Sequence, residues 1–306
     1  MRIQPVECDE GNALHLQPGH GITPEETEEV FGGNPLFKNK KGPTSNKVAK
    51  FFVLARKNQK LKHLVHHINE DAELIQLWKC ANVNAVDRCG ISDHGEIHIR
   101  IVANAALKML RLLAKGGIVP SVVKNHGLGQ DDAELIVVLA ACLHDIGIAV
   151  HRSHHEQYSL FLAYSKARHL LRDLYEEPDL TTVTSEVLHA IVSHNADETC
   201  LTIEAGVLKV ADALDMTEGR SRIPFETGRV NIHSISAQAV DSVQIKQGVD
   251  RPIKLVICLA NSAGIFQLDE LLRHKLNNSS IANFVEVTAT IEGETERRIL
   301  EVYKPQ

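Results

Sequence analysis

The chain has 306 residues, enough for one large domain or two with a sizeable core. Its 43% hydrophobic and 24% charged content are those of a globular chain, and no apolar run approaches the ~20 residues of a membrane span. A net charge of −6 argues against a general nucleic-acid coat.

Six cysteines (Cys8, Cys80, Cys89, Cys142, Cys200, Cys258) are scattered without a CxxC pair. That pattern fits reduced thiols in the cytoplasm and argues against a cysteine zinc site. The N-terminus, MRIQPVECDEGN, lacks the basic and apolar regions of a secretory signal.

Residues 1–45 are rich in Gly, Pro, Asn and charge and read as an irregular arm, with one short helix near Pro24–Val30. GGNPLFKNKKGPTS carries no GxxxxGK[ST] and is read as a loop. From Asn46 to Val83 apolar residues recur three and four apart, which predicts two helices broken near Asn69–Asp71. His63, His66 and His67 fall on their solvated face.

Glu96–Ala114 is the first helix of the core, closed by Gly116-Gly117. His98, Ile101, Val102, Ala105, Met109 and Leu112 share a stripe, so His98 points inward. His94 sits in the turn before this helix and ranks below His98.

DDAELIVVLAACLHDIG, Asp131–Gly147, is apolar on nearly every face from Leu135 to Leu143 and predicts a buried helix. His144 and Asp145 lie at its end. A buried carboxylate needs a partner, and a metal ion is the simplest answer, since His and Asp are both good ligands.

Ser153 and Glu156 form a capping-box pattern that starts a helix at Ser153, with His155 in its first turn. Thr181–Ser193 is the next helix, ending in His194-Asn195. His189, about 140° from His194, reads as a core histidine. Thr202–Met216 is the last core helix, with Thr202 as its cap. Asp215, three residues beyond Asp212, is expected to pair with Lys209 or Arg220. Arg220 and Arg222 follow the helix, and guanidinium forks suit a phosphate. From Thr227 β-branched, alternating segments predict strands, with a helix over Gln267–Leu276 between them.

The order His98, then LAACLHDIG with His144 and Asp145, then KVADALD with Asp212, resembles the HD-domain metal-dependent phosphohydrolase superfamily. The likeness covers roughly Glu96–Met216. It implies a helical core and a metal held by those four residues. In the superfamily's two-metal members a histidine opens the next helix and another closes the one after; His155 and His194 match those places, with Asp145 as the shared ligand. The donor set suits Mn, Fe, Ni, Co, Mg or Zn, as one or two ions.

The expected fold is mainly α, with an irregular arm (1–45), a helical HD-type domain (46–226) and a small C-terminal α+β unit (227–306), regulatory or dimerising. The expected activity is metal-dependent hydrolysis of a phosphomonoester or phosphodiester, often of a nucleotide. Asp145 is the catalytic carboxylate, and Lys209, Arg220 and Arg222 contact the substrate phosphate. No membrane or general nucleic-acid partner is expected, and a homo-oligomer is allowed. Two alternatives use the same core: an HD-type diiron oxygenase, or a nucleotide-binding sensor without turnover.

Overall fold

The computed structural model describes residues 50–216, 236, 239–291 and 302–303. The expected arm and its short helix lie outside the described residues, as do Arg220 and Arg222. No helix among the described residues is long and apolar enough to cross a membrane.

Residues 51–55 are extended, not helical as expected. Phe51, Val53 and Ala55 are buried alternately, the period of a strand. The carbonyls of Phe51, Phe52 and Leu54 accept from Asn69, Asn104 and Arg111 at 2.8, 3.0 and 2.6 Å. Side chains thus supply the partners that a helix would have given this backbone.

Helices α1 (Gln59–Glu70) and α2 (Ala72–Asn82) meet at the expected break. Asn58 caps α1 by accepting from Leu61 N at 2.8 Å, and Asp71 caps α2 by accepting from Leu74 N at 2.9 Å. A wider helical turn, Val83–Cys89, carries the chain on to Gly90, whose φ of 67° turns it toward α3.

Helix α3 (Glu96–Lys115) packs against α5 on one side and α8 on another. Its buried arc is therefore wide. His98, Val102 and Met109 point inward as expected, but Ile101 is 41% exposed, and the arc centres on Val102, Ala106, Met109 and Leu113. A short helix, α4 (Ser121–His126), leads to α5 (Gln130–Leu143). Every residue of α5 from Asp132 to Leu143 is buried, as its all-round apolar sequence predicts. Trp78 Nε1 donates to Cys142 O at 2.8 Å and anchors α2 to the end of α5.

A tight turn, Ile146–Ala149, follows. Helix α6 starts at His155, two residues later than the Ser153 capping pattern predicts, and runs to Leu171. His154 sits in the left-handed region at φ 59°, so the chain reverses sharply into the helix. Helix α7 spans Asp179–Ser193, and α8 spans Ile203–Ala213. Thr202 caps α8 as expected, its hydroxyl accepting from Ala205 N at 3.2 Å.

The C-terminal unit is a four-stranded sheet in the order β1 (Val240–Gln247), β2 (Ile253–Leu259), β3 (Val285–Ile291), β4 (Val302–Tyr303). β1 and β2 are antiparallel, β2 and β3 parallel with Ile253 opposite Val285, and β3 and β4 antiparallel. The parallel pair requires a crossover, supplied by a helical run over residues 265–277 that ends in His274–Asn277. β1 and β2 lie on α3. One apolar cluster joins Leu135–Leu143 to Val240, Ile253, Leu255, Ile257, Leu268 and Val285. Among the described residues Cys80, Cys89, Cys142 and Cys200 are free.

Candidate metal centre

The ends of α5 and α7, the starts of α3 and α6, and the last turn of α8 converge on Asp145. Its two oxygens face different partners. Oδ2 lies 3.3 Å from His98 Nε2 and 3.2 Å from His144 Nε2. Oδ1 lies 3.1 Å from His155 Nε2 and 3.7 Å from His194 Nε2. Asp212 Oδ1 closes the first group, 3.4 Å from His98 Nε2 and 3.8 Å from His144 Nε2. All six side chains are buried.

Local sequence explains this convergence. A Cβ on Gly147 would lie 2.1 Å from His155 O and 2.3 Å from Ser159 N, so only glycine lets α6 close onto the end of α5. Ser159 fastens the contact, donating to His144 O at 2.6 Å and accepting from Gly147 N at 2.8 Å. This contact delivers His155 to Asp145.

The hydrogen bonds fix which nitrogen of each ring is bare. His98 Nδ1 donates to Asp215 Oδ2 at 2.6 Å. His144 Nδ1 donates to Ala141 O at 2.8 Å, and His194 Nδ1 to Ile191 O at 2.5 Å. In the neutral form of each ring, Nε2 is then left with a lone pair. The Nε2 atoms of His98 and His144 are 3.3 Å apart, and those of His155 and His194 are 3.2 Å apart. Lone pairs and carboxylate oxygens facing one another in a buried space require positive charge among them. These side chains could hold a divalent metal ion. Around His155 Nδ1 lie the Arg152 guanidinium at 2.8 Å, the Arg152 carbonyl at 3.2 Å and Glu156 Oε2 at 3.3 Å.

Titration follows the same electrostatics. Burial alone would strip His144 of its proton, but Asp145 and Asp212 outweigh it and lift the imidazole to about 9. Burial likewise opposes charge on Asp145, yet His144, His155 and His98 hold it well below the usual carboxylate range. Asp212 is held low against burial by Lys275, His144 and His98. Burial keeps His194 neutral, and charge on His144 reinforces that.

Three neighbours of the site were not read from the sequence as such. Asp215, just past the end of α8, pairs with His98, while Lys209 turns to Glu198 O; the expected alternative partner Arg220 lies outside the described residues. Glu156, read as a cap, is buried beside His155 and accepts from Asn195 Nδ2 at 2.9 Å. Together with His155 and His194 it forms another group able to hold an ion. Lys275, from the C-terminal unit, bonds Asp212 Oδ2. The i,i+3 spacing of Asp212 and Asp215 was a usable signal for the first; Lys275, 63 residues from its partner, had none.

Lys209, one turn before Asp212, is fully buried and donates to Glu198 O. Burial lowers its pKa. His94 stands beside His98, ring centroids 5.3 Å apart, with Nδ1 2.6 Å from Ser92 O. His189 is half-buried and accepts from Leu201 N at 3.2 Å. His151 and His154 are exposed.

The HD domain family profile matches residues 95–217, the span that carries all six converging side chains. An uncharacterized protein of Methanocaldococcus jannaschii is 47% identical over 216 residues, 71% of this chain and 83% of that one. The chain belongs to the HD-domain superfamily. No solved structure matches it. HD domains form a superfamily of metal-dependent hydrolases, and among the described residues His98, His144 and Asp212, and His144, Asp145 and His194, form groups that could hold a metal ion.

Proposed function

We propose that this HD-domain protein is a metal-dependent phosphohydrolase that cleaves a phosphomonoester or phosphodiester, with nucleotides the first class to try. The observation that carries the reading is the division of Asp145, Oδ2 to the His98–His144–Asp212 group and Oδ1 to the His155–His194 pair. Divalent ions there would supply an acidified water and polarise a phosphoryl oxygen.

The chain's own groups do the rest. Asp215, Ala141 O and Ile191 O hold the Nδ1 protons of His98, His144 and His194, so that each Nε2 stays a ligand. Asp145 stays ionised at neutral pH. It is the carboxylate nearest both halves of the centre, and so the nearest acceptor for a proton from an attacking water. Asn195 steadies Glu156 beside His155. Arg220 and Arg222 follow Asp212 closely in sequence and are proposed to bind the substrate phosphate. Lys209, expected as a third contact, is fully buried with its ammonium donating to Glu198 O and is not among the proposed contacts.

The test is phosphate release from a panel of nucleotides and sugar phosphates with Mn²⁺, comparing the wild type with Asp145→Ala. Release by the wild type alone supports the reading. Silence from both proteins, with metal bound to the wild type, refutes it in favour of oxygen-dependent chemistry or ligand sensing.

A further inference from the structure

The six converging side chains come from five helices of the HD domain, yet one group that touches them comes from outside it. Lys275 lies on the helical run between β2 and β3, and its Nζ bonds Asp212 Oδ2. The other oxygen of that carboxylate, Oδ1, faces His98 and His144. One carboxylate is thus divided between an ammonium and the candidate metal pocket.

This contact is built in, not incidental. The side chains of Lys275 and Asp212 are only 16% and 11% exposed. The segment that carries Lys275 is pinned on both sides of it. His274 Nε2 lies 2.9 Å from Asp197 Oδ1, and Asn278 Nδ2 donates to Ala196 O at 2.8 Å. Cys200 N donates to Asn278 O at 3.2 Å, and Ser280 Oγ donates to Thr202 O at 2.6 Å. Gly206 permits this approach, since a Cβ there would lie 2.3 Å from Ser280 Oγ. The segment therefore covers both the loop after His194 and the start of the helix that bears Asp212.

We propose that Lys275 is a positioning residue of the metal centre. By occupying Oδ2 it fixes Asp212 as a one-oxygen ligand through Oδ1, so the C-terminal unit is part of the active centre and not an appended module. The centre gathers three buried carboxylates, Asp145, Asp212 and Asp215. Without the ammonium, Asp212 could turn about its terminal bond and present either oxygen. Groups that hold a metal's ligands in this way typically contribute about 10–100-fold to affinity or activity.

The inference rests on the metallohydrolase reading, and calorimetric titration with Mn²⁺ separates the two. The proteins to compare are the wild type, Lys275→Met, Lys275→Arg and His274→Ala, the last loosening the same segment without touching Asp212. The expected result is binding weakened about 10–100-fold in Lys275→Met, restored to near wild type in Lys275→Arg and unchanged in His274→Ala. Should Lys275→Met fail to fold, Lys275→Gln carries the same expectation. Wild-type affinity in Lys275→Met or Lys275→Gln overturns the role of Lys275 and leaves the metal reading intact, as does equal weakening in His274→Ala. Absence of Mn²⁺ binding by the wild type overturns both.

Discussion

Gly147→Ala tests how the two halves of the centre are joined. The added methyl would lie 2.1 Å from His155 O, where contacts under 3.0 Å essentially never occur. The first turn of α6 must retreat by about 1 Å, an overpacking that typically costs about 1–3 kcal/mol. A misplacement of that size can also lower function about 100-fold. His155 rides on the displaced turn, whereas His98, His144 and Asp212 do not. Metal content after dialysis should therefore fall by the ion at His155 and His194, with the first retained, and the melting temperature should drop. His194→Ala should lose the same ion with a smaller change in melting temperature. A Gly147→Ala protein with wild-type metal content and stability would refute the close approach of α6 and the role of His155 together.

Other outcomes follow from the same geometry. Asp215→Ala frees the Nδ1 proton of His98 and should weaken Mn²⁺ binding about 10–100-fold, or about 1.4–2.7 kcal/mol; unchanged calorimetry would show that Asp215 does not set that ring. His144 in the metal-free protein holds its proton up to about 9, so a metal must displace it. Apparent Mn²⁺ affinity should climb about tenfold per pH unit between pH 6.5 and 8.5 with one proton released, and a flat profile would contradict this. The same shift stabilises the metal-free fold below the ordinary imidazole pKa, a contribution lost as pH rises through about 9. Lys108, on α3 near Lys246 of β1, is lowered to about 8 by burial and then by that neighbour. Its charge penalises the fold below pH 8, and the penalty is relieved as pH rises toward 10.5. Lys108→Met should raise stability at pH 7 by about 1–3 kcal/mol in denaturant unfolding; a loss would show that the ammonium has compensating contacts.

The parts of the fold legible in the sequence were those set by local pattern. Helix α5 declared itself because it is apolar all round, and Asp71 and Thr202 cap helices as their residue types suggest. His98, His144, Asp145 and Asp212 each lie in a recognisable local setting, and the structure brings them together. Elsewhere tertiary partners decided the outcome. Residues 51–55 look helical beside their neighbours, but Asn69, Asn104 and Arg111 hold them extended. The Ser153–Glu156 pattern promised a cap, but Glu156 is taken by Asn195 and the helix begins later. Ile101 faces out because α5 and α8 share the opposite arc of α3. Lys275 could not be foreseen, since no spacing rule connects a helix end to a crossover 63 residues away.

The single apolar cluster through helices and sheet has a consequence for how the molecule is made. A nascent chain emerges N-terminus first, so every histidine and aspartate of the centre leaves the ribosome before the strands that complete the core. Until β3 is available, α3 lacks a finished sheet beneath it and Asp212 lacks its ammonium. Maturation of the centre is therefore timed by the last quarter of the polypeptide, and a chain stalled before residue 275 would hold every ligand without the support that sets them.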